Sequence, residues 1–497
     1  MEKFDVIVIG SGLGGLVCAN ILSKEGMKVC VLEMDKRIGG TLQSFAKEGV
    51  LFNTGLNYTE SLGKGEILNL YFSYLGIMDS LNVQQLDIDA FDKISLRDDG
   101  IEYPFAQGFD HFIERLTEFF PHERDNLKNY IHQMGEVCKS FPYYNLDADT
   151  TYMQSLSKQV DVSTFLKSCT SDPKLQKVLA GMNSLYAGVE GETPMYIHSL
   201  INYSFIKSAW RFVNGSSQIA LLLAKGIKAN GGSVHTRMKV VAIEGNNNSI
   251  KHVRLENGEC MEAKWFISNM HPASTLKILS ENMVRKSYSN RILSLENSVG
   301  MFSLYVVLEK NSMEQFNFNY HHFPHSKVWG TQYAEKDWPG HFMMYSPANT
   351  KGGKYANGLI VLTYMNFDEL KQWQHTDRSN RPQEYYDFKR QKSEILLTAL
   401  EKRFPGIGKH IKSYYSSTPL TYRDYTGTPD GSAYGILKKA DNPLLSIISP
   451  RMKVNNLLFT GQNLNMHGIL GVTISSMLAC QEIVGKEYLI NKIKRSD

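Results

Sequence analysis

The chain has six cysteines in 497 residues, and no two stand at the close spacing of a zinc or thioredoxin-like pair. That excludes a disulfide-stapled or zinc-clipped scaffold and points to a reducing, cytoplasmic setting, with no metal expected. Excess charge of one sign is also missing: 54 Lys plus Arg stand against 50 Asp plus Glu, a formal net charge of +4, with no long basic run in the interior. Nucleic acid is therefore excluded as a partner. No run can cross a bilayer. The uncharged stretch from Val6 to Ser23 follows Asp5, is broken by glycines and precedes a Lys-Glu-Gly turn, and the run from Gly468 to Cys480 is short and holds Ser and Thr. Any membrane contact must be peripheral, at the inner face of a membrane. There is no internal repeat, no low-complexity linker and no second glycine-rich nucleotide loop.

What is present suffices for large cores. At this length, with 42% hydrophobic residues, the usual domain size predicts at least two lobes. Residues 4–9 and 28–33 read as buried parallel strands flanking a helix over 13–25, a β-α-β unit within about thirty residues. Residues 49–58 read as loop, 107–140 and 160–206 as helices, and 216–229 as another helix. Residues 234–244, 250–256 and 259–267 read as an antiparallel meander turning at Gly245–Asn248 and Asn257-Gly258. Strands and aromatic-rich loops occupy 300–370, a charged helix 384–403, and the chain closes with a strand at Leu457–Phe459 and a helix from about Gly471 to Val484.

Chemistry concentrates at the two ends. Gly10, Gly12, Gly14 and Gly15 lie where a strand turns into a helix, the place from which unpaired N–H groups can hold a pyrophosphate. Alone this is a tight turn. Glu33 at the end of the second strand makes it a dinucleotide grip, because a carboxylate there accepts both ribose hydroxyls. Met34, the basic Arg37, the Gly39-Gly40 pair and Thr41 follow directly, a clamp that suits a permanently held FAD better than a mobile NAD. Near the C-terminus a strand enters the turn Thr460-Gly461-Gln462-Asn463, and Gly471, Val472 and Thr473 open a helix whose positive end could face a flavin.

These segments, with Val240-x-x-Ile243, Ser268-Asn269, Pro272 and the stretch Thr418 to Gly427, resemble the FAD-dependent carotenoid and retinoid oxidoreductases: phytoene desaturases, carotenoid isomerases and all-trans-retinol 13,14-reductases. The resemblance runs nearly the whole chain. It implies an α/β fold: a Rossmann-like FAD domain of the glutathione-reductase type with an inserted mixed α+β substrate domain. It implies non-covalent FAD and a long hydrophobic isoprenoid or polyene substrate whose carbon–carbon double bonds are reduced, desaturated or isomerised. The expected division is 1–90 plus 215–295 plus 450–497 for FAD, and 91–214 plus 296–449 for substrate. Val240 is expected at the adenine, and Gly461 with Asn463 along the ribityl and pyrophosphate. Asn53, Asn57 and Asn463 depart from the Asp, His and acidic residues often found in similar proteins. NADPH or a quinone is the expected electron partner.

Tyr58 and His467 are the candidate proton donors. They are chosen from a group with Tyr203, Tyr422 and His198 in which a hydrogen-bonded core role is the common outcome. The aromatic and methionine-rich stretches 182–213 and 316–345 suit a core or a polyene tunnel. The basic groups Lys389-Arg-Gln-Lys392 and Lys492-Ile-Lys-Arg495 read as solvated faces or as contacts to anionic lipid. A flavin amine oxidase or porphyrinogen oxidase, and a non-catalytic lipid carrier of the GDP-dissociation-inhibitor type, share the fold and stand as alternatives.

Overall fold

Lys3–Ile9 (β1) is buried at five of its seven residues and Val29–Leu32 (β2) at all four, the environment that continuous apolar, β-branched runs require. The structure is a computed structural model, and it describes residues 3–97, 100–147, 160–246, 248–325, 327–349 and 352–496. The two strands pair in parallel from Val6↔Val29 to Ile9↔Leu32, joined by Leu13–Lys24 (α1). After Ser217–Ala229 (α2), Ser233–His235 (β3) adds in parallel to β2. Val240–Asn246 (β4), Ser249–Leu255 (β5) and Cys260–Ser268 (β6) follow, then Leu457–Phe459 (β7) and Gly468–Val484 (α3). β6 is shared: residues 260–262 pair with β5 in the meander, while Glu262 to Ser268 run parallel to β1, with β7 beyond.

Three expectations need correction. Residues 234–244 are not one strand. β3 ends at His235, Arg237 takes φ 59°, and Met238 N–H donates to Glu33 O at 2.7 Å, so the chain crosses the end of β2 before the meander begins. Residues 49–58 are not all loop: Ser44–Lys47 and Val50–Asn53 form a hairpin closed by Glu48 (φ 48°) and Gly49 (φ 81°), the double positive φ that a tight two-residue hairpin turn requires. α3 begins at Gly468, where φ is +75°, so Gly471 and Thr473 lie inside the helix and not at its tip. The Asn257-Gly258 hairpin is present, with Gly258 at φ 87°. In the expected Gly245–Asn248 turn, Asn247 lies outside the described residues.

A second seven-stranded sheet runs Ile411–Ser417, Gly300–Leu308, Gly358–Met365, Phe342–Tyr345, Asn319–Phe323, Asp92–Leu96, Glu102–Phe105. Its pairings are antiparallel except that Asp92–Leu96 runs parallel to Asn319–Phe323. Helices Phe109–Thr117, Arg124–Lys139, Val162–Cys169 and Met195–Lys207 cover one face. Gln383–Arg403 covers the other. Two mixed sheets, the first built around the parallel strands β3, β2, β1, β6 and β7, make the α/β architecture the sequence predicts. The aromatic stretches turn out to be mostly core: Phe342–Tyr345 is buried at every residue, and His198 is a fully buried hub bonded to Tyr130 and Tyr186 at 2.8 Å each. Among the described residues no helix is long and apolar enough to cross a membrane.

Candidate functional site

A cavity of about 490 Å³ lies where the C-terminal ends of β1, β2 and β6 meet the start of α1. Of the residues singled out from the sequence, Gly10, Gly12, Gly14, Glu33, Met34, Gly40, Thr41, Val240, Asn269, Gly461, Asn463 and Val472 line it. Gly15, Arg37, Gly471, Thr473, Tyr58 and His467 do not.

Close approach explains the glycines. A Cβ on Gly12, Gly14 or Gly461 would stand 2.7, 2.6 and 2.7 Å from the side-chain amide of Asn269, and one on Gly15 would stand 2.1 Å from Gly10 O. Gly15 therefore fixes the packing of helix on strand, while the others keep the cavity floor bare around Asn269. Gly12 caps α1 with no side-chain hydrogen bond, so the first-turn N–H groups are left to the cavity with the positive end of the helix. Gly39 N–H donates to Ser11 O at 3.0 Å, which ties the Gly39-Gly40 turn to this loop. At one end Glu33 Oε2 accepts Ser11 N–H at 2.9 Å and Ser11 Oγ–H at 2.5 Å, while Oε1 accepts Asp35 N–H at 2.8 Å. The carboxylate is thus oriented, with lone pairs to spare.

A buried lysine that sequence reasoning missed holds the other wall. Lys438 Nζ donates to Ser446 O, Asn463 O and Leu464 O at 2.5, 3.0 and 2.9 Å, and burial lowers its pKa to about 7. Asn463 Oδ1 in turn accepts Ile436 N–H at 3.1 Å. No cysteine lines the cavity, and Cys480 is buried in α3 against Cys18 O. The groups left over suit a dinucleotide: the bare first turn of α1 and the amide of Asn269, which forms no side-chain hydrogen bond among the described residues.

Tyr58 and His467 belong to a second, buried network. Tyr58 O–H donates to Asp92 Oδ2 at 2.7 Å, His321 Nε2 lies 3.1 Å from the same oxygen, and His321 Nδ1 lies 2.8 Å from Ser184 Oγ. Asn319 Nδ2 donates to Asp92 Oδ1 at 2.8 Å. Tyr434 O–H donates to Ser184 O at 2.9 Å, and its ring packs on His467 at 4.5 Å between centroids. His467 bonds to Leu185 O at 3.0 Å, and burial lowers its pKa to about 4. Burial first, and then the Asp92 charge, raise the Tyr58 pKa well above that of a free phenol. Asp92, His321 and Ser184 were not foreseen; a lone carboxylate in the apolar strand Asp92-Lys-Ile-Ser-Leu96 was the available signal.

One further expectation fails. Lys389 and Lys392 are not a solvated face: Lys392 is 4% exposed and paired with Glu369 at 2.5 Å, and burial lowers the Lys389 pKa to about 8. At helical spacing, 385, 389, 392, 396 and 400 turn toward the second sheet. Neither the cavity above nor its neighbour is lined by residues of 182–213 or 316–345. Away from both, Glu244, His252 and Cys260 hold potential ligand atoms within 4.8 Å on the meander, where Glu244 already bonds His252 and Arg254.

The chain is 25% identical over 545 residues to the all-trans-retinol 13,14-reductase of Homo sapiens, covering 100% of this chain and 88% of that one. It is 23% identical over 512 residues to a chloroplastic prolycopene isomerase of an Oncidium hybrid cultivar, covering 97% and 84%. In fold it is similar to the crystal structure of an oxidoreductase from Methanosarcina mazei, with TM-score 0.65, 17% identity and coverage of 96% and 99%. The family model for flavin containing amine oxidoreductases matches residues 13–484, and the chain belongs to that family.

Proposed function

We propose that this protein is an FAD-dependent oxidoreductase that acts on carbon–carbon double bonds of a hydrophobic polyene or isoprenoid, with reduction as the leading direction. The observation that carries the cofactor reading is the single cavity into which Gly10 to Gly14, Glu33, Val240, Asn269 and Gly461 to Asn463 all open. The substrate reading is supported by full-length similarity to a retinol 13,14-reductase and a prolycopene isomerase. On this reading Glu33 and Met34 take the ADP ribose, Val240 the adenine, the start of α1 the pyrophosphate, and Gly40, Thr41, Gly461 and Asn463 the ribityl side, across the domain division given above.

A bound flavin supplies hydride acceptance and donation. The chain's own task is to hold the polyene dry and to provide a proton. Tyr58 is our proton donor. Its raised pKa keeps it a phenol at neutral pH, and the fully buried Asp92 and His321 hold that phenol in place. His467 is a positioning residue that orients Tyr434. NADPH or a quinone serves as electron partner, and the exposed Lys492, Lys494 and Arg495 at the end of helix Lys486–Lys494 are the side chains to test against anionic membranes.

The test is the purified protein's flavin spectrum, followed by product analysis from anaerobic incubation of reduced enzyme with all-trans-retinol. A general acid contributes about 10²–10⁴-fold, so Tyr58→Phe is expected to lose at least about 100-fold in kcat at unchanged flavin content. A protein that binds no FAD would refute the cofactor reading. A flavoprotein inert toward retinol and carotenes would refute the substrate reading alone.

A further inference from the structure

A second cavity of about 640 Å³ adjoins the first and shares with it the wall formed by Gly40, Thr41, Gln43, Tyr422, Tyr425 and Thr426. Its composition is one-sided. Lys36, Arg37, Lys47, Lys389 and Arg390 line it, with Asp35 as the only acid. Asp35 is taken up by Arg378 at 3.2 Å. Lys36, Arg37 and Lys389 form no ion pair among the described residues, and Lys389 is held among the tyrosines of this wall despite the cost of burying an ammonium, which lowers its pKa. Lys47 sits 4.8 Å from the ring centre of Tyr415, and six tyrosines in all face the space.

Cations arriving from two separate segments, the 35–37 loop and the 383–403 helix, make a pocket for more than one negative charge. A single carboxylate would leave most of them unmatched, whereas a phosphate offers several oxygens to Lys and the planar fork of Arg. The tyrosines add flat, mostly apolar surface on which a ring or a conjugated chain can lie. Arg37, expected from the sequence as part of the FAD clamp, lines this cavity and not the first.

We propose that the second cavity binds an organic phosphate with a flat or extended apolar body, the phosphate held by Lys36, Arg37, Lys389 and Arg390 and the body lying on the tyrosines. This chemistry has two sources, a nicotinamide nucleotide or a prenyl diphosphate. The proposal rests on the FAD reading only in treating the first cavity as already filled.

The experiment is calorimetric titration of FAD-saturated protein with 2′,5′-ADP and with geranylgeranyl diphosphate, each beside its phosphate-free counterpart, adenosine or geranylgeraniol. We expect one of the two phosphates to bind about tenfold or more tightly than its counterpart, and to weaken about tenfold or more in Lys389→Gln with Arg390→Gln, as loss of charge-assisted contacts requires. Raised salt should weaken it further. Tight 2′,5′-ADP assigns the nucleotide source, and tight geranylgeranyl diphosphate the prenyl source. Flavin absorbance and far-UV circular dichroism report that the variant is folded. Equal affinity for phosphate and counterpart, or wild-type affinity in the folded variant, overturns the proposal; absence of any bound flavin would instead strike the FAD reading.

Discussion

Two glycines three residues apart should fail in opposite ways. In Gly15→Ala the new methyl lands 2.1 Å from Gly10 O and 3.1 Å from Val8 Cγ1, backbone and strand core that cannot swing aside. Overpacking of that kind costs about 1–3 kcal/mol. In Gly12→Ala the backbone, at φ −63° and ψ 173°, accepts alanine without strain, and the methyl meets only the side chain of Asn269, with Nδ2 at 2.7 Å and Cγ at 3.9 Å. A rotated amide relieves that contact at less than about 1 kcal/mol, yet the methyl then stands where a pyrophosphate must approach the amides of α1. The apo-protein's thermal midpoint should therefore drop by several degrees for Gly15→Ala and stay near wild type for Gly12→Ala. A flavin-fluorescence titration should show the dissociation constant of Gly12→Ala raised about tenfold or more, the loss of one or more charge-assisted contacts. Wild-type FAD affinity in Gly12→Ala, or a wild-type melt in Gly15→Ala, would refute this division of labour.

The remaining predictions concern buried groups. His198 is held neutral by burial, its pKa lowered to about 3 from an ordinary 6.5. Between those values the unfolded chain binds more protons, so this stability is complete above pH 6.5 and is lost as the pH falls, at up to about 1.4 kcal/mol per unit. Urea midpoints at pH 7.5 and 5 should diverge less in His198→Gln than in wild type, and identical divergence would sink the argument. Lys438, lowered to about 7 from 10.5, acts in the alkaline window: its contribution to stability grows as pH rises from 7 toward 10.5, and Lys438→Met should flatten that rise. Of the six free cysteines only Cys260 is partly exposed, so a thiol reagent should modify one group per native chain; rapid modification of two or more would contradict the burial of the others.

The nucleotide end of the fold was legible because its signals are local. The loop from Gly10 to Gly15, the carboxylate of Glu33 and the Asn257-Gly258 hairpin each state their geometry within a few residues. The Tyr58–Asp92–His321 network was not legible, because it depends on register between distant strands: Asp92 pairs with Asn319 and Ile94 with His321 only once two segments over two hundred residues apart lie parallel. Lys389 was misread for a related reason. A basic run looks solvated in a linear text, and only the packing of Gln383–Arg403 on the second sheet shows which of its charges face inward. The start of α3 was placed three residues late because the left-handed Gly468 leaves no composition signal to separate it from the turn before it.

The cavity joins residue 9 to residue 472, and α1 packs along α3 with Ser476 Oγ–H donating to Gly14 O at 3.1 Å. A growing chain exposes its glycine loop almost at once but cannot close the chamber around it until α3 has been synthesised. The loop therefore stays unmatched until a segment 462 residues further along arrives, and capture of the cofactor becomes a late event that reports the arrival of α3. A truncation just before Gly461 would remove fewer than a tenth of the residues and yet leave a half-walled groove.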